Sequence, residues 1–78
     1  MDDSVYMCDI GFDQNGLVRV KFANTDGMFY VDYNLNIVSE KFVAGKNVGR
    51  NIYAIETEDG IAGYFEYNGE TLVRKTNG

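Results

Sequence analysis

Histidine, proline and tryptophan are missing from this chain of 78 residues, and cysteine occurs once. Each gap closes off chemistry. General acid–base catalysis falls most often to histidine, so its absence weighs against an enzyme, and a Cys–His nucleophile cannot be assembled within the chain. Cys8 alone makes no intramolecular disulfide and supplies no Cys/His cluster of the kind zinc takes. Cations are scarce too: 7 Lys and Arg stand against 12 Asp and Glu, a net charge of −5. Affinity for nucleic acid comes largely from Lys and Arg neutralising phosphates, so direct nucleic-acid binding and docking on an anionic membrane are both disfavoured. No apolar run approaches the roughly 18 residues that a spanning helix needs. Residues 1–5, Met-Asp-Asp-Ser-Val, have neither the basic nor the apolar segment of a signal peptide. The expected compartment is the cytoplasm, and no cofactor is implied.

What is present describes a small globular protein. Hydrophobic residues make up 45% of the chain and charged residues 24%, the proportions of a folded domain and not of a disordered segment. A single domain, 1–78, buries about 60% of the surface its unfolded chain exposes. A deep cofactor-sized cavity is hard to build from so little core.

Turn chemistry is the strongest local signal. Asn15-Gly16 and Asn68-Gly69 are the pairs preferred in type I′ hairpins, and Asp26-Gly27 and Asp59-Gly60 are the next best. Asn34-Leu35-Asn36 makes a further polar turn, and Ala44–Gly49 reads as a longer Gly-containing loop joining two hairpin units. Between turns the pattern alternates with period two. Tyr6, Cys8, Ile10 and Phe12 share one face of a first strand, Val18, Val20 and Phe22 one face of a second, and Phe29, Val31 and Tyr33 one face of a third. Residues 37–42 alternate without revealing the buried side. Later runs at 51–57, 61–67 and 71–75 place Tyr53, Ile55, Phe65, Tyr67 and Leu72 inward. The expected fold is all-β: an antiparallel meander of six to seven short strands, in a twisted sheet or small open barrel. Val18, Val20, Phe22, Val31, Ile55 and Phe65 should be buried, with Arg19 and Lys21 exposed.

An internal similarity runs through the pattern. Tyr30-Val-Asp-Tyr-Asn returns as Tyr64-Phe-Glu-Tyr-Asn, and each is preceded by Asp-Gly. The repeat units are 16–43 and 50–75, through duplication or through shared hairpin grammar. Gly16-Leu17-Val18-Arg19-Val20, Asp26-Gly27, Tyr30-Val31-Asp32, Ile37-Val38 and Gly63-Tyr64-Phe65-Glu66-Tyr67-Asn68-Gly69 together resemble the WG (KWG) repeat family of bacterial β-meander proteins. The family's Trp and Pro are missing, and Phe29 stands where its glycine precedes Tyr30. The resemblance implies a β-hairpin array and nothing catalytic.

Candidate chemistry reduces to a few clusters. Glu56 and Glu58 share a strand face about 7 Å apart, within glycosidase separations, but no cleft accompanies them. Asp13–Gly16 and Glu56–Gly60 are oxygen-rich without the twelve-residue calcium loop. Residues 44–50 miss the P-loop spacing. Eleven Phe and Tyr remain, and Tyr is enriched at interaction hot spots. The expected partner-binding residues are therefore Glu56, Glu58, Asp59, Glu66, Tyr67, Glu70 and Tyr33, facing a protein with a basic surface. So short, acidic and catalytically bare a chain looks like the small inhibitors carried by phages, anti-CRISPR proteins among them, which block a cationic nucleic-acid-binding surface. The alternative is a structural β module that self-associates, as a homodimer, through edge strands.

Overall fold

The computed structural model describes residues 5–23 and 26–75, and these form seven strands without a helix. They are β1 (Val5–Met7), β2 (Val18–Phe22), β3 (Phe29–Val31), β4 (Phe42–Gly49), β5 (Ile52–Thr57), β6 (Ala62–Tyr67) and β7 (Leu72–Arg74). All pairings are antiparallel between sequence neighbours, in a three-stranded sheet β1-β2-β3 and a four-stranded sheet β4-β5-β6-β7. The sheets do not close into a barrel. They are stitched together by single contacts: Met28 bridges Phe42, Ile37 bridges Val31, and the Val38 carbonyl accepts Leu72 N–H at 2.7 Å and Thr71 Oγ1–H at 2.8 Å.

Two clusters of buried side chains result. Leu17, Tyr30, Val38, Phe42, Tyr53, Ile55, Phe65 and Leu72 fill the space between the sheets. Val18, Val20 and Val31 lie on the opposite face of β2 and β3, covered by Val5, Phe12, Phe22 and Phe29. β2 and β3 are thus covered on both sides, which is why Tyr30 and Val31 are buried although they are neighbours in one strand. Of the expected core, Val18, Val20, Val31, Ile55 and Phe65 are buried and Phe22 is only half-buried; Lys21 is exposed. Arg19 is not exposed as expected: it lies on the face of Leu17 and Tyr30, turned towards the four-stranded sheet, where its guanidinium binds Asp9 and donates to the Gly45 carbonyl at 2.8 Å.

The turns are not the type I′ hairpins their residue pairs suggest. Three of them share one build: Asp13–Gly16, Asp32–Leu35 and Thr57–Gly60 each close with a hydrogen bond from the fourth residue's N–H to the first residue's carbonyl. The fourth residue has positive φ in each, +78° at Gly16, +65° at Leu35 and +83° at Gly60, while the residue before it does not. That pattern is a type I turn followed by a left-handed bulge residue, the three-residue hairpin loop. In the first two, Asp Oδ1 accepts the N–H groups two and four residues on, at 2.9 and 3.0 Å. A first-position Asp therefore organises each of those two turns through its side chain.

Two strand assignments change. The first strand stops at Met7, and Ile10 is fully exposed. Asp9 ends it, because its carboxylate takes Arg19 N–H at 3.1 Å and the guanidinium besides, displacing the ladder partner that a continuing strand would supply. Residues 44–49, expected as a loop, belong to β4, whose register shifts past Val43 and Val48. Gly45 marks a close approach there: a Cβ would sit 3.0 Å from the Phe42 ring and 3.3 Å from Ile55. Of residues 37–42, expected as a strand, only Phe42 lies in one; the rest run beside β3 through the Ile37 bridge, the Val38 N–H on the Tyr30 carbonyl and the Tyr30 N–H on the Ser39 hydroxyl.

Candidate binding surfaces

The β5–β6 hairpin carries most of the expected site residues, at its two ends. At the turn end, Lys41 reaches Glu58 at 3.2 Å and Asp26 at 3.8 Å, and its stem lies over Gly27. Glu40, Glu58 and Asp59 flank a shallow hollow against Lys41 and Thr57. Lys41 thus pairs with two carboxylates, and Glu40 and Asp59 line the hollow beside them. Asp59 is fixed within the turn: its Oδ1 accepts the Thr57 hydroxyl at 2.5 Å, and this bond holds the carboxyl below the usual carboxylate range.

The opposite end is ordered differently. Asn51 Nδ2 donates to Glu66 and to the Tyr67 carbonyl, both at 3.1 Å, and Lys75 sits 3.6 Å from Glu66. Glu70 is exposed in the next turn, where Asn68 Oδ1 accepts its N–H at 2.9 Å. Tyr67 faces inward, half-buried against the core, so its ring serves packing. Tyr33 stands apart from both groups: it is exposed on the Asp32 turn and lies 4.5 Å, centroid to centroid, from Phe12. Glu56 and Glu66 share the outer face of the four-stranded sheet, Glu56 opposite Ala62 and Glu66 opposite Ile52. The seven residues therefore form no single cluster. They occupy the two ends of one hairpin and a separate aromatic corner.

The outer sheet face itself escaped the sequence reading. Tyr53, Ile55, Thr57 and Phe65 point to the core, so Ala54, Glu56, Ala62 and Tyr64 point away from it. With Ala44 and Lys46 of β4, and Arg19 of the other sheet at its margin, they line an open depression of about 610 Å³. Alanine floors it and Tyr64 stands beside it, 56% exposed. The outward-phase residues Ala44 and Lys46, Ala54 and Glu56, and Ala62 and Tyr64 were legible as alternation once residues 44–49 are a strand.

A polar clasp joins the two sheets to each other. Asp9 grips Arg19 through both carboxylate oxygens, which keeps its pKa below the ordinary value, and Arg19 reaches over to Gly45. Further along, the Arg50 carbonyl accepts Gln14 Nε2 at 2.7 Å, Asn15 Nδ2 at 2.8 Å and Asn47 Nδ2 at 3.0 Å. Each amide spends a second hydrogen as well: Gln14 on Asn47 Oδ1, Asn15 on the Tyr53 hydroxyl, Asn47 on the Ile52 carbonyl. Tyr53 in turn donates to Asp13 Oδ2 at 2.5 Å. Among the described residues no buried side-chain polar atom lacks a partner, as a stable polar network requires.

Among the described residues no group of three or more Asp, Glu or Cys side chains is placed to hold a metal ion. No family model matches the chain, and no curated protein or solved structure does.

Proposed function

We propose that this is a non-enzymatic binding protein that offers the acidic end of its β5–β6 hairpin to a basic surface on a protein partner. The observation that carries the reading is the excess of carboxylates at this end: Lys41 pairs with Asp26 and Glu58, while Glu40 and Asp59 line the adjoining hollow with no ion-pair partner among the described residues. Charge of one sign held on a rigid turn steers an oppositely charged partner and fixes its orientation. Asp59 is preorganised by Thr57, so this carboxylate loses little freedom on binding. In this reading the carboxylates stand where phosphates would lie on a cationic, nucleic-acid-binding partner, as in an inhibitor of phage type. The net charge of −5 acts in the same direction.

Affinity capture from lysate followed by mass spectrometry identifies the partner, and binding kinetics then test the surface. The double variant Glu58→Ser, Asp59→Ser should slow association roughly tenfold at low salt and flatten its salt dependence. Affinity that is the same at low salt and at about 0.5 M, where the Debye length is only a few Å, would remove the electrostatic reading.

A further inference from the structure

One face of the four-stranded sheet is core, and the other has no cover among the described residues. Ala44, Ile52, Ala54, Ala62, Tyr64 and Val73 make that face largely apolar. Its charges are balanced, since Arg19 at its margin is paired with Asp9. Glu66 is already neutralised by Lys75. Lys46 and Glu56 are both exposed, and neither has an ion-pair partner among the described residues. They are diagonal neighbours across β4 and β5, because Lys46 stands opposite Ala54 and Ala44 opposite Glu56. A partner of one sign leaves one of these two charges facing its like. A surface with the same two charges in mirrored order satisfies both.

We propose that the outer face of the four-stranded sheet docks on the same face of a second copy of this chain, with Lys46 of each copy on Glu56 of the other. The contact is isologous: a two-fold axis lying in the interface, running between the two diagonal neighbours, makes both ion pairs at once. The same axis brings the Ala54 methyl groups and the Tyr64 rings of the two copies together near its centre. Alanine lets the two backbones approach, and the exposed Tyr64 ring supplies the buried aromatic that small interfaces rely on. The face is small, so the dimer belongs to the weak class, with Kd on the order of 10⁻⁶ to 10⁻³ M. The acidic hairpin end lies at the rim of this face, and the dimer therefore presents two acidic ends to a partner. The contact does not depend on that partner, and the two readings fail separately.

Sedimentation equilibrium between about 1 µM and 1 mM spans that range. The apparent mass of the wild-type chain should rise with concentration from 8.8 kDa towards twice that value. Lys46→Glu and Glu56→Lys should each weaken self-association at least about tenfold, since each sets like charges face to face at two places. An equimolar mixture of these two variants should form a heterodimer, and the variant carrying both exchanges should dimerise like wild type. Far-UV circular dichroism melts matching wild type establish that the single variants are folded. Glu58→Ser, Asp59→Ser should leave the dimer unchanged. A wild-type chain that stays monomeric at 1 mM overturns the proposal. So do single variants that dimerise as wild type, which would put the contact elsewhere, for instance on the outer edge of β1, and so does a mixture that stays monomeric.

Discussion

Removing one oxygen atom, in Tyr53→Phe, tests how much the polar clasp holds the two sheets together. The ring is fully buried and packs edge-on against Tyr30, 4.8 Å between centroids, so phenylalanine keeps the core filled. What is lost is the hydroxyl's donation to Asp13 Oδ2 at 2.5 Å and its acceptance from Asn15 Nδ2 at 2.9 Å. A hydrogen bond to a charged group contributes about 1.5–3 kcal/mol and a neutral one about 1 kcal/mol. Asp13 keeps its two bonds to Asn15 N–H and Leu17 N–H, and Asn15 keeps Arg50, which limits the damage. The expected loss is about 2–3 kcal/mol from a domain whose whole stability is on the order of 4–12 kcal/mol. In a thermal melt this is a fall of roughly 10–20 °C. In urea the midpoint should drop with an unchanged slope, because the buried apolar area is the same. A double-mutant cycle with Asp13→Ala should give a coupling of about 1 kcal/mol or more. A Tyr53→Phe unfolding free energy within about 0.5 kcal/mol of wild type, or a coupling near zero, refutes the clasp as a stabilising contact.

Two further outcomes follow from the same geometry. Gly16 and Gly60 both sit at positive φ, but a Cβ on Gly60 meets nothing within 4 Å, whereas one on Gly16 lies 2.8 Å from the Tyr33 ring. Gly60→Ala should cost about 1 kcal/mol from left-handed strain, partly offset by a less flexible unfolded chain; Gly16→Ala should cost more, and adding Tyr33→Ala should remove the excess. Equal costs by urea denaturation would show that the ring does not press on Gly16. Burial raises the hydroxyl pKa of Tyr30 and of Tyr53, in Tyr53 with help from the bond to Asp13. The folded values lie above the unfolded value of about 10, so this stability is complete below pH 10 and falls as pH rises towards the folded values. Stability measured from pH 8 upward should decline beyond about pH 10, less steeply in Tyr53→Phe; a flat profile to pH 12 would contradict it.

Alternation and turn residues carried most of the architecture. Val18, Val20 and Val31, then Ile55 and Phe65, sit in period-two runs bounded by Asn-Gly and Asp-Gly, and such local preference needs no knowledge of the rest of the chain. The turn type was less legible, because Asn15-Gly16 suits more than one hairpin loop and the Asp13 side chain selects the type I turn with a bulge. Leu35 in a left-handed position has no local signal at all; Asp32 and its bonds to residues 34 and 36 impose it.

By itself the sequence determined the class of fold, the positions of most strands and the absence of histidine chemistry, since these depend on residue type and short-range periodicity. Only the tertiary structure decided that Gly45 lies in a strand, that Tyr30 is buried while Tyr64 at the matching repeat position is exposed, and that Arg19 is clamped by Asp9. The tertiary structure also set which residues share the open sheet face. A period-two pattern names two faces of a strand but not which is covered, and that choice is made by contacts between residues far apart in the chain.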